Sequence, residues 1–380
     1  MTKPLLLAAR IMFFILAAFA LLLSVYKPYD NWDIIGYVAS AKSFELGDAG
    51  QLNAFTYSQL KSRLSADHYE FIAEENSNGF GHAIRTDTVA FKEQLPFYKI
   101  RPVYNGLIYL FYKTGFNIIT SIYLISGLSV AAAIFFLYLI AIRFLPEKLV
   151  FTIPPLAVAV GILDLARYST PDALMFFAVI ATAYLYLTKK LNILFILLPL
   201  IIGIRTDFIL FSVLMVIAMY YANKCDALKC VLSICVSILI YFSIGIFYSN
   251  PGWSTIFYFT LVNIIPRPIS TPHELTPVMY VTALFKGVIS MLINKAFNIY
   301  ALAAAIWLYK MRDIKHASQL FKEQFNVLAI ISFVFIVLHF ILFPATYDRY
   351  FISAYMLGVL SLLRSFKKEK EDIPVSAGQK

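Results

Sequence analysis

The stretch Tyr29-Asp30-Asn31-Trp32-Asp33-Ile34-Ile35-Gly36-Tyr37 places two carboxylates directly after the first long apolar run. A carboxylate this close to a membrane surface loses solvation, so its presence there invites a functional reading. Asp33 follows Trp32, an interfacial anchor, and precedes Tyr37 by one helical turn. At that depth it is placed to take a proton from an acceptor hydroxyl, and it is read as a catalytic base. The plain alternative is that Asp30 or Asp33 caps the helix that follows. Asp30 fits that cap, or a supporting place beside a substrate, better than it fits catalysis.

A second set of polar residues interrupts the apolar runs farther on. Arg101-Pro102-Val103-Tyr104 stands where a helix begins, and an Arg at head-group level holds a phosphate through charge-assisted bonds or snorkels to anionic lipid. Arg167 and Asp172 bracket Ser169-Thr170-Pro171, and Thr170-Pro171-Asp172 also has the form of a helix start. Arg205 lies between apolar runs, where a lone cation needs a partner; Asp207 or a lipid phosphate would serve. Asp348-Arg349-Tyr350 opens the last apolar run and offers another phosphate ligand. His273 and Glu274 sit among Pro266, Pro268, Pro272 and Pro277, a loop suited to shaping an acceptor site but a poor metal site. No Walker loop, GxGxxG, HExxH or GxSxG occurs in a supporting context, which argues against a soluble nucleotide site.

The elements that must position these residues are membrane helices. Of 380 residues, 60% are hydrophobic and only 14% charged, against roughly 25% charged in a soluble domain. Mean hydropathy is +0.75. The net charge of +10 comes mostly from short gaps between apolar runs, as topology determinants do, so nucleic acid is not an expected partner. Cys225, Cys230 and Cys235 lack companions at zinc spacing and are read as packing residues. The run Ile11 to Val25 has no small-residue cleavage site before Tyr26 and reads as an uncleaved signal anchor.

Ten spans are read at 10–26, 117–143, 149–166, 172–188, 191–204, 207–223, 229–248, 296–311, 325–343 and 350–365. Lys3 and Arg10, Arg143 and Lys148, Lys189 and Lys190, Lys224 and Lys229, the group Lys310 to Lys322, and Arg364 to Lys370 then fall on one side. The excess of Lys and Arg makes that side, with both termini, cytoplasmic. Every other polar feature collects on the outer face, in the loops 27–101 and 249–282 and the three short turns. The apolar positions predict an interfacial helix at 33–46, a more polar helix at 56–75 and a turn at Asn76 to Gly81 within 27–101, and another interfacial helix at 102–111 leading into the second span. Pro277 to Lys295 repeats the interfacial pattern. Residues 1–365 read as one transmembrane domain and 366–380 as a charged, disordered cytoplasmic tail.

This arrangement resembles the GT-C superfamily of integral-membrane glycosyltransferases, which includes protein O-mannosyltransferases and the bacterial aminoarabinose transferases for lipid A. Asp33-Ile34-Ile35-Gly36-Tyr37-Val38-Ala39 looks like the acidic opening of that superfamily's first outer loop. Pro96-Phe97-Tyr98-Lys99-Ile100-Arg101-Pro102-Val103-Tyr104 is similar to the segment that closes it. Thr170-Pro171-Asp172-Ala173-Leu174 and Arg349-Tyr350 resemble the openings of later spans. Two departures stand out: Ile34 replaces the usual second acid, weakening any claim to a divalent cation, and no large soluble domain follows the spans.

The resemblance implies an all-α polytopic bundle in a bacterial inner membrane and a sugar moved from a polyprenyl-phosphate donor, with inversion, to a lipid, glycan or protein acceptor at the outer face. Asp33 would deprotonate or orient the acceptor hydroxyl, and Arg101, Arg205 and Arg349 would hold the departing phosphate. Tyr37, Tyr104, Arg167, Asp172, Asp207, His273, Tyr350 and Asp30 complete the expected substrate-binding set. The competing readings are a polysaccharide polymerase or ligase with a diphosphate-linked donor, and a lipid or solute transporter, which would line a path through the midplane with charge.

Overall fold

The computed structural model of the chain describes residues 3–74, 79–312, 317–345 and 347–367. Residues 76–78 of the predicted turn, Lys315, Lys368, Lys370 and the predicted disordered tail from 368 onward lie outside the described residues. Among the described residues the secondary structure is helical, apart from one isolated parallel bridge between Tyr29 and Tyr168.

The chain opens with α1 (Lys3–Tyr26) and then folds six shorter helices: α2 (Asp33–Lys42), α3 (Ala49–Arg63), α4 (Ala66–Ala73), α5 (Phe80–Thr86), α6 (Thr88–Lys99) and α7 (Pro102–Lys113). It continues through α8 (Ile118–Phe144), α9 (Ile153–Ala159), α10 (Ile162–Arg167), α11 (Asp172–Leu187), α12 (Leu191–Leu200), α13 (Ile209–Tyr221) and α14 (Ala227–Phe247). After α15 (Trp253–Phe257) come α16 (Pro277–Ile293), α17 (Lys295–Met311), α18 (Ala317–Leu320), α19 (Gln324–Leu342) and α20 (Ile352–Arg364).

By length and composition α1, α8, α14 and α19 can each cross a membrane, and α16 with α17, bent by 79° at Asn294, makes a fifth candidate if counted as one span. These coincide with four of the ten predicted spans. Those predicted at 172–188, 191–204, 207–223 and 350–365 are apolar helices of 10–17 residues. The span predicted at 149–166 is broken: a 3-10 turn at Glu147–Thr152 leads to α9, and Gly161 then takes a left-handed φ of 97° before α10. Only glycine adopts that backbone without a steric penalty, so the apolar run cannot remain one helix. The 296–311 run is the second arm of the bent pair.

The main core forms where α1 and α11 pack on α8 and where α17 and α19 pack on α20. Small residues set the first contact. A Cβ on Gly127 of α8 would fall on the Ser24 hydroxyl of α1, itself donated to the Leu21 carbonyl at 2.8 Å. Such close backbone approach is how apolar helices associate where lipid supplies no hydrophobic drive.

The helix ends gather at two poles. At one, Arg10 Nε donates to the Tyr138 hydroxyl at 2.9 Å, Arg364 Nη1 to the Phe144 carbonyl at 2.9 Å, and Gln324 Nε2 to the Tyr186 carbonyl at 2.7 Å. Lys310 Nζ reaches the Ser365 carbonyl at 3.1 Å at the same pole. The six helices α2 to α7 and the turns carrying Tyr168, Arg205 and Arg349 meet at the other.

The sequence pattern over 33–46 predicts a helix lying in the membrane interface; α2 instead ends at Lys42 and is buried on every side from Ile34 onward. The reason is cover: α3, α6 and α7 each pack on it. At its end Glu45 accepts from Lys113 and Lys42, which hold its carboxyl down to about 2. The helix expected over 56–75 is two helices, divided at Leu64 and restarted by Ser65, whose hydroxyl accepts the His68 backbone N–H. Two of the three cysteines depart from a simple packing role: Cys225, just before α14, and Cys230, in its first turn, lie at a Cα separation of 6.7 Å and are joined as a disulfide, while Cys235 is free. Gly127→Val should open the α1–α8 contact and cost about 1–3 kcal/mol, read as a lower thermal unfolding midpoint of the detergent-solubilised protein.

Candidate functional site

Asp33 is fixed by its local chain. After α1 the backbone N–H of Tyr29 donates to the Arg167 carbonyl at 2.9 Å, which ties the connector to the α10–α11 turn. The Ser169 hydroxyl then donates to Asn31 Oδ1, and Asn31 Nδ2 donates to Asp33 Oδ2 at 3.0 Å. Asp33 is the first residue of α2, whose cap position, Trp32, makes no side-chain capping bond. Asp30 caps nothing either: it accepts the Tyr123 hydroxyl at 2.6 Å and contacts His68 Nδ1 at 2.9 Å.

Asp33 meets a residue from the far end of the chain. Arg349 Nη1 donates to Asp33 Oδ2 at 2.9 Å, while Arg349 Nε lies 3.6 Å from Asp172 Oδ2. Asp172 also pairs with Arg205 Nη1 and accepts the Thr170 hydroxyl at 2.6 Å. Arg205 extends the chain of charges, donating through Nε and Nη2 to Asp207 at 3.1 and 2.6 Å. His339 Nε2 stands 2.9 Å from Asp207 Oδ2. Tyr350 lies beneath both guanidiniums, 4.5 Å from Arg205 and 5.4 Å from Arg349 to the ring centroid. Arg205 and Asp172 are only 5% and 4% exposed, so neither charge is solvated and each depends on the other.

This network forms one wall of a cavity of about 990 Å³, at the upper end of the range for small-molecule sites. Asp33, Arg101, Arg205, Asp207, His339, Asp348, Arg349 and Tyr350 line it, together with Asn31, Tyr98 and Gln94. The aromatic rings of Trp32, Phe80, Phe91, Phe97, Phe259 and Trp253 line it too. The lining therefore combines charged and aromatic side chains, which suits a ligand with an anionic head and a hydrocarbon body. Tyr98 donates to Asp33 Oδ1 at 3.3 Å, and burial, with that carboxylate beside it, raises its phenol well above the ordinary range, so it acts as a donor only.

Arg101 differs from the other two arginines. Its Nη1 donates to the Phe97 carbonyl at 2.6 Å and its guanidinium lies 5.6 Å from the Tyr37 ring centroid. Among the described residues no carboxylate stands within ion-pair distance of it. Arg205 and Arg349 have counter-charges already, so Arg101 is the cation of this site with unmet demand for an anion.

The segment between α14 and α16 roofs the cavity. Asn250, Trp253, Ile256, Phe259, Thr260 and Ile264 face it, with a π-helical turn at Tyr258–Val262. Arg267 clasps this segment to α6 by donating twice to Asp87, at 2.8 and 2.6 Å, while Glu93 accepts the backbone N–H groups of Ile269 and Ser270 at 2.8 and 3.0 Å.

The remaining sequence-predicted residues lie elsewhere. Tyr37 and Tyr104 are buried behind the cavity, packed edge-on at 5.0 Å. Arg167 points to the Lys27 carbonyl and Asp164, and Asp172 braces the arginines from behind without lining the cavity. His273 stacks on Tyr258 at 4.9 Å and bonds the Thr271 carbonyl. His339 was not singled out by the sequence reading, although an ionisable residue near the end of an apolar run is itself a signal of function. Asp33 shares its oxygens with an arginine, an amide and a phenol. Among the described residues no group of three His, Cys, Asp or Glu side chains gathers. Comparison with family models, curated proteins and solved structures returns no match.

Removing Asp172 strips one of two counter-charges from the buried Arg205 and from the half-buried Arg349. Asp172→Ala should therefore destabilise the protein by about 3–5 kcal/mol, measured as the shift in its unfolding transition in detergent. The roof clasp has its own pH dependence. The bonds from Arg267 hold the Asp87 carboxyl below its usual range, so the clasp is fully formed above that range and is lost as pH falls through the depressed value. Amide protection factors across 249–276, with the intrinsic pH dependence of exchange divided out, should be unchanged from neutral pH down to about 4 and lower throughout that range in Arg267→Ala.

Proposed function

We propose that the protein is a membrane glycosyltransferase of the GT-C type, moving a sugar from a polyprenyl-phosphate donor to an acceptor hydroxyl at the face that carries the cavity. The observation that carries this reading is the meeting, around one half-aromatic cavity, of a carboxylate from the start of the chain with three arginines from far apart in it, one of them lacking a counter-charge. In this reading Arg101 receives the donor phosphate, and the acceptor hydroxyl approaches Asp33.

As the acceptor oxygen bonds to the anomeric carbon, the bond from that carbon to the phosphate oxygen breaks. The hydroxyl proton passes to Asp33 and the phosphate gains a second negative charge. Total charge in the site is unchanged, but its distribution is not. Protonated Asp33 no longer satisfies Arg349, whose guanidinium then serves the departing phosphate, where electrostatic stabilisation is needed most. Asn31 and Tyr98 keep the carboxyl in place throughout.

The same reading takes the chain across the membrane ten times, the shorter apolar helices and the broken α9–α10 segment each running from one pole to the other. The hydrogen bonds that collect the ends of α1, α8, α11, α17, α19 and α20 at the pole opposite the cavity support this. The excess of Lys and Arg at that pole makes it the cytoplasmic one, in a bacterial inner membrane. Charges concentrated at the other pole favour surface chemistry over transport.

Mass spectrometry of lipids that co-purify in nanodiscs tests the donor. A polyprenyl-monophosphate sugar held by wild type and lost from Arg101→Ala is the expected result; a diphosphate-linked glycan would instead indicate a polymerase or ligase. Ordinary phospholipid alone would overturn the transferase. With the donor in hand, Asp33→Asn should retain it while transfer falls by about 100-fold or more, and near-normal turnover would remove Asp33 from the role of base.

A further inference from the structure

The mouth of the cavity carries side chains that neither the phosphate nor the base employs. Tyr29, Tyr168, Tyr347 and Asp348 line the cavity. Tyr29 and Tyr347 are nevertheless 52% and 54% exposed, and Asp348 is exposed as well, so they stand where the cavity opens to solvent. They come from three places in the chain: the connector after α1, the α10–α11 turn and the turn before α20.

The backbone and one guanidinium bring them together. The parallel bridge between Tyr29 and Tyr168 sets two of the tyrosines side by side, and their rings meet edge to face at 5.2 Å. Tyr347 packs edge-on against Tyr350 at 5.7 Å. The Arg349 guanidinium lies 5.8 Å from the Tyr168 ring centroid and 5.2 Å from that of Tyr347, so both rings border the cation that holds Asp33. Edge-on contacts leave ring faces uncovered, and here those faces lie close to the carboxylate read as the base.

Asp348 adds a polar group to this aromatic mouth. It accepts the Asn294 side-chain amide, and among the described residues no cation stands within ion-pair distance of it. Burial, with Asp164 nearby and only the Asn294 amide in opposition, raises its carboxyl above the ordinary range, the sign of an acid short of donors.

Three kinds of ligand could meet such a surface. A cation would satisfy Asp348, but Arg349 already stands against the Tyr168 and Tyr347 rings and repels a second positive charge. An extended peptide docks through its backbone on a strand edge, and among the described residues the mouth offers only the single bridge at Tyr29. A neutral ring with C–H groups on its face and hydroxyls on its rim meets both demands, the C–H groups on tyrosine and the hydroxyls donating to the carboxylate. That is a sugar.

We propose that the mouth is an acceptor subsite for a sugar ring, which rests on Tyr29, Tyr168 and Tyr347, donates hydroxyls to Asp348 and turns a further hydroxyl toward Asp33. The acceptor is then a glycan or a glycolipid. The inference rests on the transferase reading and adds the chemical class of its acceptor.

Saturation-transfer NMR on the full chain in nanodiscs tests it, with the methyl glycosides of glucose, galactose, mannose and N-acetylglucosamine as probes. At least one should bind, its ring protons saturated more strongly than its methyl group. Asp348→Asn should weaken that glycoside about tenfold, as expected when a neutral acceptor replaces a charged one. Tyr347→Ala should weaken it about three- to tenfold, and Tyr347→Phe should restore most of the loss. Binding of none of the four, or binding that survives both Asp348→Asn and Tyr347→Ala, overturns the subsite. So does equal saturation of the peptide N-acetyl-Ala-Ser-Ala-amide.

Native mass spectrometry with undecaprenyl phosphate separates this failure from that of the transferase. If undecaprenyl phosphate is retained while the glycosides fail, the subsite falls and the transferase stands with another class of acceptor. If a glycoside binds through Asp348 and Tyr347 but undecaprenyl phosphate is not retained, the sugar site stands and the transferase falls. Should one variant fail to fold, the other, with the pattern of saturated protons in the unchanged chain, still decides the matter.

Discussion

The carboxylate of Asp172, set between Arg205 and Arg349, is the contact on which the rest of the polar architecture depends. A buried guanidinium without a partner is too costly to persist, and here two are held by one nearly inaccessible acid. Each arginine then extends the network in its own direction, Arg205 to Asp207 and His339, Arg349 to Asp33. Three stretches separated by apolar helices are thereby locked into one wall. The helices supply the walls and spacing of the cavity; the ion pairs supply its register.

That wall divides labour among chemically identical side chains. Arg205 and Arg349 are committed to carboxylates and so serve shape first, whereas Arg101, held by a carbonyl and an aromatic face, keeps its charge available. Under the transferase reading the first contact with an anion falls to Arg101, and Arg349 becomes available only when Asp33 takes up a proton. The three guanidiniums of Arg101, Arg205 and Arg349 stand against the four carboxylates of Asp33, Asp172, Asp207 and Asp348, so all but one of the charges cancel. The resting site is thus close to electroneutral, which keeps the cost of its burial low.

Much of this was legible in the sequence because a charge inside an apolar run is conspicuous. Asp33, Arg101, Arg205, Asp207 and Arg349 were singled out as charges, Tyr350 as the neighbour of Arg349 in a family-like opening, and all line the cavity. What each one contacts was not legible, because partners lie up to 316 residues apart and no local pattern encodes that distance. Asp172 looks like a ligand in sequence and is a brace in space. His339, near the end of an apolar run, carried the same kind of signal and was passed over. The burial of α2 was hidden for a related reason: its periodicity announces one apolar face, but only the later helices α3, α6 and α7 determine that the other face is covered as well. The break at Gly161 had a signal, a glycine within an apolar run, that carries little weight until its backbone angle is known.

The separation of Asp33 from Arg349 bears on how the protein is made. Synthesis reaches Asp33 316 residues before Arg349. Until Arg349 is made, the nascent protein carries its acid without the cation that positions it, and a product that stops short of Arg349 cannot assemble the charged wall. Arg205 is better provided for, since Asp207 follows within two residues and Asp172 precedes it by one helical hairpin. That pair can neutralise itself as it leaves the translocon. The charged wall is therefore completed only when the segment carrying Arg349 docks, so a copy that lacks that segment lacks the cation that holds Asp33.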